Sequence, residues 1–247
     1  FAKAQWIKYG INTPKLFWSG NSKTTLNNSI LNEISDYKVM LKPVGSNGSA
    51  GLTYLKNPKP EQTLKAVSNL LDEYNHILID QYVEGDIWNA DGLMIDGDFF
   101  PVSITERKSD EDLPFLSSRQ IQPPMSSPEE YGRYFNLAKN AAKALSYENG
   151  PLTIDFINNE DQLHVLEISP HYHALMMDNC RGNQGLLTSW VAYLSGDKQW
   201  KKHLISKNSE WGGCYMLRAK KCGAITNIHG IDEAKIMSQA LNIRCMK

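Results

Sequence analysis

Two carboxylates, and a lysine followed by a glycine-rich loop, are the residues of this chain best suited to chemistry. Asp155 and Glu167 stand on the two arms of GPLTIDFINNEDQLHVLEISP, each embedded among Ile, Phe, Val and Leu. If those arms form a hairpin centred near residue 161, the acids fall opposite one another; a one-residue slip of the centre leaves them diagonal. With matching parity they share one face. A hard divalent cation would neutralise both, and magnesium favours one or two carboxylates plus substrate phosphates. The competing arrangement sends one carboxylate to solvent or pairs it with a lysine.

The stretch KPVGSNGSAG places Lys42 just ahead of Gly45, Gly48 and Gly51. Glycine lets backbone N–H groups turn toward an anion, so a cation and several donors could meet the same phosphates. A plain hairpin turn is the alternative, for which SNG is adequate chemistry. Neither the P-loop nor the dinucleotide fingerprint fits, because a strand and not a helix follows.

The elements that must position these groups follow from periodicity. A helix opens the chain and ends at YGINTP; KLFW reads as a strand, and residues 23 to 35 as a helix. YKVMLKP and AGLTYLKN read as strands, Pro60 to Tyr74 as an amphipathic helix, and HILIDQYVEGD as an apolar strand breaking at Glu84–Gly85. A hairpin turning at Ile95-Asp96-Gly97 comes next. Residues 108 to 128, polar and proline-containing, read as a long loop or lid. Glu129 to Tyr147 reads as a helix, then come the carboxylate hairpin, turning around Asn158 to Asp161, and a helix near Gly185 to Leu194. Strand-rich material runs from Cys214 onward. By alternation His164 falls on the face opposite Glu167.

The chain has 247 residues, 41% hydrophobic and 21% charged, with a net charge of -1 and a pI near 6.7. That excludes a strongly basic nucleic-acid binder, and no apolar run approaches the roughly 20 residues that cross a bilayer. A cytoplasmic setting is expected. Cys180, Cys214, Cys222 and Cys245 lack Cys-x-x-Cys spacing and read as reduced thiols. A zinc site at His171, His173 and Cys180 lacks an obvious fourth ligand. Trp190, Trp200 and Trp211 read as packing residues.

The order of these pieces, from strand–Lys–Pro–glycine loop–strand through DQYVEGD and TIDF to VLEISPHYHA, resembles the ATP-grasp superfamily of carboxylate–amine ligases, in its amino-acid-ligase and biotin-carboxylase-like branch. The likeness implies an α+β, ATP-grasp fold: two α+β lobes gripping a nucleotide, with a C-terminal strand-rich cap. Residues 1–14 would form a helix entering from a further N-terminal domain, 15–83 the first lobe, 84–195 the second lobe with the metal site, and 196–247 the cap. It implies ATP and Mg2+ (or Mn2+) as cofactors, small carboxylate and amine substrates, no nucleic-acid or membrane partner, and a homodimer as an assembly.

Residue by residue, the resemblance gives Lys42 the phosphates and adenine edge, and the loop residues Ser46, Gly48 and Ser49 the phosphates. Gln81 and Val83, with Tyr82 between them, would offer backbone bonds to adenine, which Met40 and Leu166 would sandwich. Asp155 and Glu167 would hold magnesium, and Arg107 would face the transferred phosphoryl group or the substrate carboxylate. Several positions depart from the family pattern. Where Glu-x-Asn-x-Arg is common, the chain reads Glu167-Ile-Ser169-Pro-His171, so Ser169 supplies a weaker oxygen ligand and His171 a titrating group. The ribose-binding glutamate falls at Ile87, with Asp86 adjacent as a substitute. The lysine the family keeps early in its first helix falls ahead of Phe1. These departures leave a degenerate nucleotide-binding or partner-binding module, and a bicarbonate-activating enzyme, as alternatives to a ligase.

Overall fold

The computed structural model describes residues 1–46, 48–110, 113–124, 131–160, 162–171, 184–204 and 211–215, with scattered positions beyond. Phe1–Met216 form one compact unit and Leu217–Lys247 a second, of which only isolated residues are described. Cys180, Cys222, Cys245 and His173 lie outside the described residues; Cys214 is half-buried.

In the first lobe, β1 (Leu16–Gly20), β2 (Lys38–Pro43), β3 (Thr53–Lys56) and β4 (Ile77–Gln81) form an antiparallel sheet in the order β1-β4-β2-β3. Alternation divides β2 sharply. Val39 and Leu41 turn into a core with Ile77 and Ile79, covered by α2 (Asn28–Ser35) and α3 (Pro60–Leu71). Met40 and Lys42 take the other face, as does Asp80, the cross-strand partner of Met40. The helix expected over 23 to 35 is broken: a 3-10 turn spans Lys23–Thr25, and α2 starts only where Asn27 Oδ1 accepts the Ile30 N–H at 3.0 Å.

The second sheet runs β10-β7-β6-β5-β8-β9, from β5 (Asp86–Ile95), β6 (Asp98–Asp110), β7 (Leu113–Gln122), β8 (Gly150–Asn159), β9 (Gln162–Ser169) and β10 (Gly212–Tyr215). Asp96 and Gly97 turn the β5–β6 hairpin with φ of 51° and 76°, both left-handed as a two-residue loop demands. The back of the sheet buries Ala90, Ile104, Ile154, Phe156 and Val165 beneath α4 (Gly132–Lys143). Trp6 of α1 (Ala2–Lys8) joins that core and donates its indole N–H to the Ala141 carbonyl at 3.1 Å. At one end, α5 (Gln184–Leu194) and a 3-10 turn at Trp200–His203 cover Leu93 and Ile95. Trp200 is core there, whereas Trp211 is largely exposed.

The expectation of a loop over 108 to 128 is corrected: β6 extends to Asp110, and Leu113–Gln122 is a strand pairing with both β6 and β10. Ser118, Gln120 and Gln122 are buried, and Gln120 is the cross-strand partner of Arg107. On a strand, polar residues usually signal solvent.

Candidate functional site

Asp155 and Glu167 are cross-strand partners on β8 and β9. The turn alone does not achieve this. It pairs Asn159 with Gln162, and the register continues through Asn158–Leu163 and Ile157–His164 to Phe156–Val165. Continued further, it would set Asp155 against Leu166. A bulge at Leu166 adds one residue to β9 and brings Glu167 opposite Asp155. The same bulge puts His164, paired with Ile157, on the Asp155 face; the opposite face expected from alternation is corrected, because alternation miscounts through a bulge. Burial lowers the His164 pKa, and its Nδ1 is buried without a partner.

Asp155 is buried and receives an ion pair from Arg107, whose guanidinium reaches from β6 across β5. Burial pushes the Asp155 carboxyl upward, against the pull of Arg107 and then His171. Glu167 is also raised, first by burial and then by Asp155, while Arg107, Lys42 and His171 oppose the shift. Glu167 stays solvent-accessible although protein atoms crowd it. Among the described residues no cation lies within ion-pair distance of Glu167, and no cluster of three or more His, Cys, Asp or Glu forms a protein-only metal cage. Two adjacent carboxylates, one accessible and facing cations from both lobes, do fit a magnesium ion that completes its shell on phosphates and water. Ser169, half-buried, pairs with Thr153 one step along the same strands. The carbonyl of the exposed His171 lies 3.0 Å from Thr153 Oγ1.

From the first lobe, Lys42 Nζ lies 3.1 Å from Asp80 Oδ2, and Lys3 Nζ of α1 lies 2.6 Å from the same oxygen. Burial, aided by Lys42, lowers Lys3 to about 8 although Asp80 opposes the shift. Sequence reasoning missed this pair of lysines on one carboxylate. The available signal was an aspartate inside the apolar run ILID; nothing local tied Lys3 to it. The loop after Lys42 is a true hairpin connection between β2 and β3, with Gly45, Gly48, Ser49 and Gly51 at positive φ and Ser46 Oγ donating to the Pro43 carbonyl at 3.2 Å.

At the strand-to-lobe junction the Gln81 N–H donates to the Lys15 carbonyl at 2.8 Å, so Gln81 has only its carbonyl to offer a ligand. The Val83 N–H makes no backbone hydrogen bond among the described residues. Tyr82 packs edge-on to Tyr54 at 4.8 Å, beside the buried Met40. Asp86 is exposed and held by Lys108 at 3.0 Å, and Leu166, half-buried, is the bulge residue itself. Thus Lys42, Arg107, Asp155, Glu167 and His171 act on one another, while Asp86 stands at the rim in an ion pair.

A family model described as an ATP-grasp domain matches residues 2–174. The chain belongs to the ATP-grasp family. Its fold is similar to that of an L-amino acid ligase from Bacillus licheniformis (TM-score 0.72, 17% identity), covering 95% of this chain and 57% of that one. It is also similar to the biotin carboxylase domain of 2-oxoglutarate carboxylase from Hydrogenobacter thermophilus, solved with MgADP, ADP and bicarbonate (TM-score 0.58, 16% identity, 89% and 46% covered). A D-alanine–D-alanine ligase from Bacillus anthracis, complexed with ATP, follows (TM-score 0.52, 15% identity, 84% and 62% covered). The chain therefore spans less than two thirds of each of these proteins. No curated protein matches it. Among the described residues no helix is long and apolar enough to cross a membrane.

Proposed function

We propose that this ATP-grasp domain activates a carboxylate with ATP and joins it to an amine. A carboxylate oxygen attacks the γ-phosphorus, ADP leaves, and an acyl phosphate forms. The amine nitrogen then attacks the acyl carbon, phosphate leaves, and the nitrogen gives up a proton. The observation that carries this reading is the Asp155–Glu167 pair, faced by Lys42 from one lobe and Arg107 from the other. Phosphoryl transfer asks the protein chiefly for alignment and charge neutralisation, and this set provides both. Bound Mg2+, on Asp155 and Glu167 with the Ser169 hydroxyl close by, would neutralise the phosphate oxygens.

Lys42 and the amides of Gly48 and Ser49 would hold the phosphates, and Met40 and Leu166 would flank the base. The Val83 N–H and Gln81 carbonyl would meet the edge of the base. Arg107, at rest on Asp155, would stabilise the transferred group, and His171 would lie beside the substrate carboxylate. The ribose would lack a free acid, since Lys108 engages Asp86.

The test is a thermal-shift titration with ATP and magnesium, followed by phosphate release over a panel of amino acids, each as acid and as amine. Release that requires both substrates is expected. Nucleotide binding with no release for any acid would instead favour the non-catalytic module to which Ser169, Ile87 and His171 point, and absence of binding would refute both.

A further inference from the structure

Asn89 lies in the same row of the sheet as the carboxylate pair, between Asp155 on β8 and Thr105 on β6. It is fully buried. Its Nδ2 donates to Asp91 Oδ2 at 2.8 Å, and Asp91 also holds Ser103 Oγ at 3.2 Å and Thr153 Oγ1 at 2.5 Å. An ionised carboxylate only accepts, so Asp91 dictates which end of the Asn89 amide faces it. The other end, Oδ1, is buried with no partner among the described residues. On the next strand the Arg107 Nε is also buried and unpartnered, although Nη1 reaches Asp155. A buried carbonyl without a donor is costly, and in native proteins it marks a place where a water, ion or ligand belongs.

Electrostatics narrows the choice. A metal ion on Oδ1 would meet the Arg107 guanidinium, which crosses β5 to reach Asp155. An anion would meet Oδ1 itself, with Asp91 and Asp155 on either side. A neutral N–H donor suits both neighbours. The second half of the ligase reaction needs such a group, because an amine attacks only as its free base. An amine that donates one N–H to a carbonyl oxygen keeps its lone pair free for the acyl carbon. A carboxylate at this position would favour the ammonium form, whose lone pair is tied up by a proton.

We propose that Asn89 receives the amine substrate, its Oδ1 accepting an N–H from the uncharged nucleophile beside the acyl phosphate, a role that rests on the ligase reading above. Asp91, itself bonded by Ser103 and Thr153, holds the amide in the required orientation.

The experiment compares Asn89→Leu and Asn89→Asp with wild type, using the acid found in the phosphate-release panel and hydroxylamine as the amine. Acyl phosphate formation is followed separately, by oxygen-18 exchange between bridging and non-bridging positions of ATP without hydroxylamine. In Asn89→Leu, kcat/KM for hydroxylamine should fall on the order of 10- to 100-fold through KM, with isotope exchange and KM for ATP unchanged. Asn89→Asp keeps an acceptor but places there the carboxylate that favours the protonated amine, so its hydroxylamine KM should also rise, with isotope exchange retained. If both variants lose isotope exchange and amine transfer alike, Asn89 is structural and the proposal fails. It fails equally if neither variant moves the hydroxylamine KM. A wild type that turns over no acid overturns the ligase reading, and this role with it.

Discussion

Replacing Glu167 with glutamine removes one charge from the carboxylate pair while preserving shape, and two opposite effects should follow. Without nucleotide the variant should be more stable than wild type. Cross-strand partners hold their Cβ atoms roughly 5 Å apart, and two charges at about that separation repel by about 3 kcal/mol at an effective dielectric near 20. Attraction from Arg107 and Lys42, and solvent access to Glu167, reduce the net gain to about 1 kcal/mol. For a unit of this size that is about 2–4 °C in Tm. The sign with pH follows from linkage. The folded carboxyl is raised, so the cost of the anion sets in as pH climbs from the ordinary value of 4.5 through the folded value. The gain should be complete above the folded value and vanish below the ordinary one. With ATP and magnesium at 100 times Kd, wild type should gain about 2.7 kcal/mol, roughly 5–11 °C. The variant should lose the magnesium-dependent part of that shift. Differential scanning fluorimetry with and without magnesium measures both. A variant that is less stable without ligand, yet keeps its magnesium dependence, would refute the placement of a shared cation at this pair.

Arg107→Ala should destabilise the ligand-free protein by about 3 kcal/mol, because it strands the buried Asp155 carboxylate; denaturant unfolding checks this, and an unchanged midpoint would contradict the ion pair. Gly51→Ala should cost more than about 1 kcal/mol and disturb the loop between β2 and β3: Gly51 has a φ of +73°, and an added Cβ would lie 2.6 Å from Pro43 and 2.9 Å from Tyr74. Phosphate release and Tm should both report it. Lys3 titrates near 8 in the folded chain and at its ordinary 10.5 when unfolded, so between those values the unfolded chain binds more protons and stability should rise with pH. Lys3→Met should flatten that rise in urea midpoints measured across the window.

Much of the scaffold was legible in the chain. Alternation in KVMLK separates the core face from the face that carries Met40 and Lys42, Asp96-Gly97 announces a two-residue turn, and the apolar arms of the second hairpin identify the strands that carry Asp155 and Glu167. Less could be read where a polar residue is buried for a purpose. Leu113–Gln122 looks like a loop because its serines and glutamines suggest water, yet the sheet turns that face toward the site. Lys3 and Asp80 meet only because α1 packs on the second-lobe core while its lysine reaches the first-lobe sheet.

By itself, then, the sequence determined which residues could become strands, which faces would be apolar, and which acids were available to a cation, since these depend on the period and chemistry of neighbours along the chain. Tertiary structure decided that the acids meet. The turn alone would have paired Asp155 with Leu166, and the bulge that corrects it is a property of two strands in contact. Tertiary structure also decided that Arg107 crosses β5 to neutralise Asp155, and that Asn89 keeps a buried oxygen without a partner. Such electrostatic relations act through space, between residues that local patterns never connect.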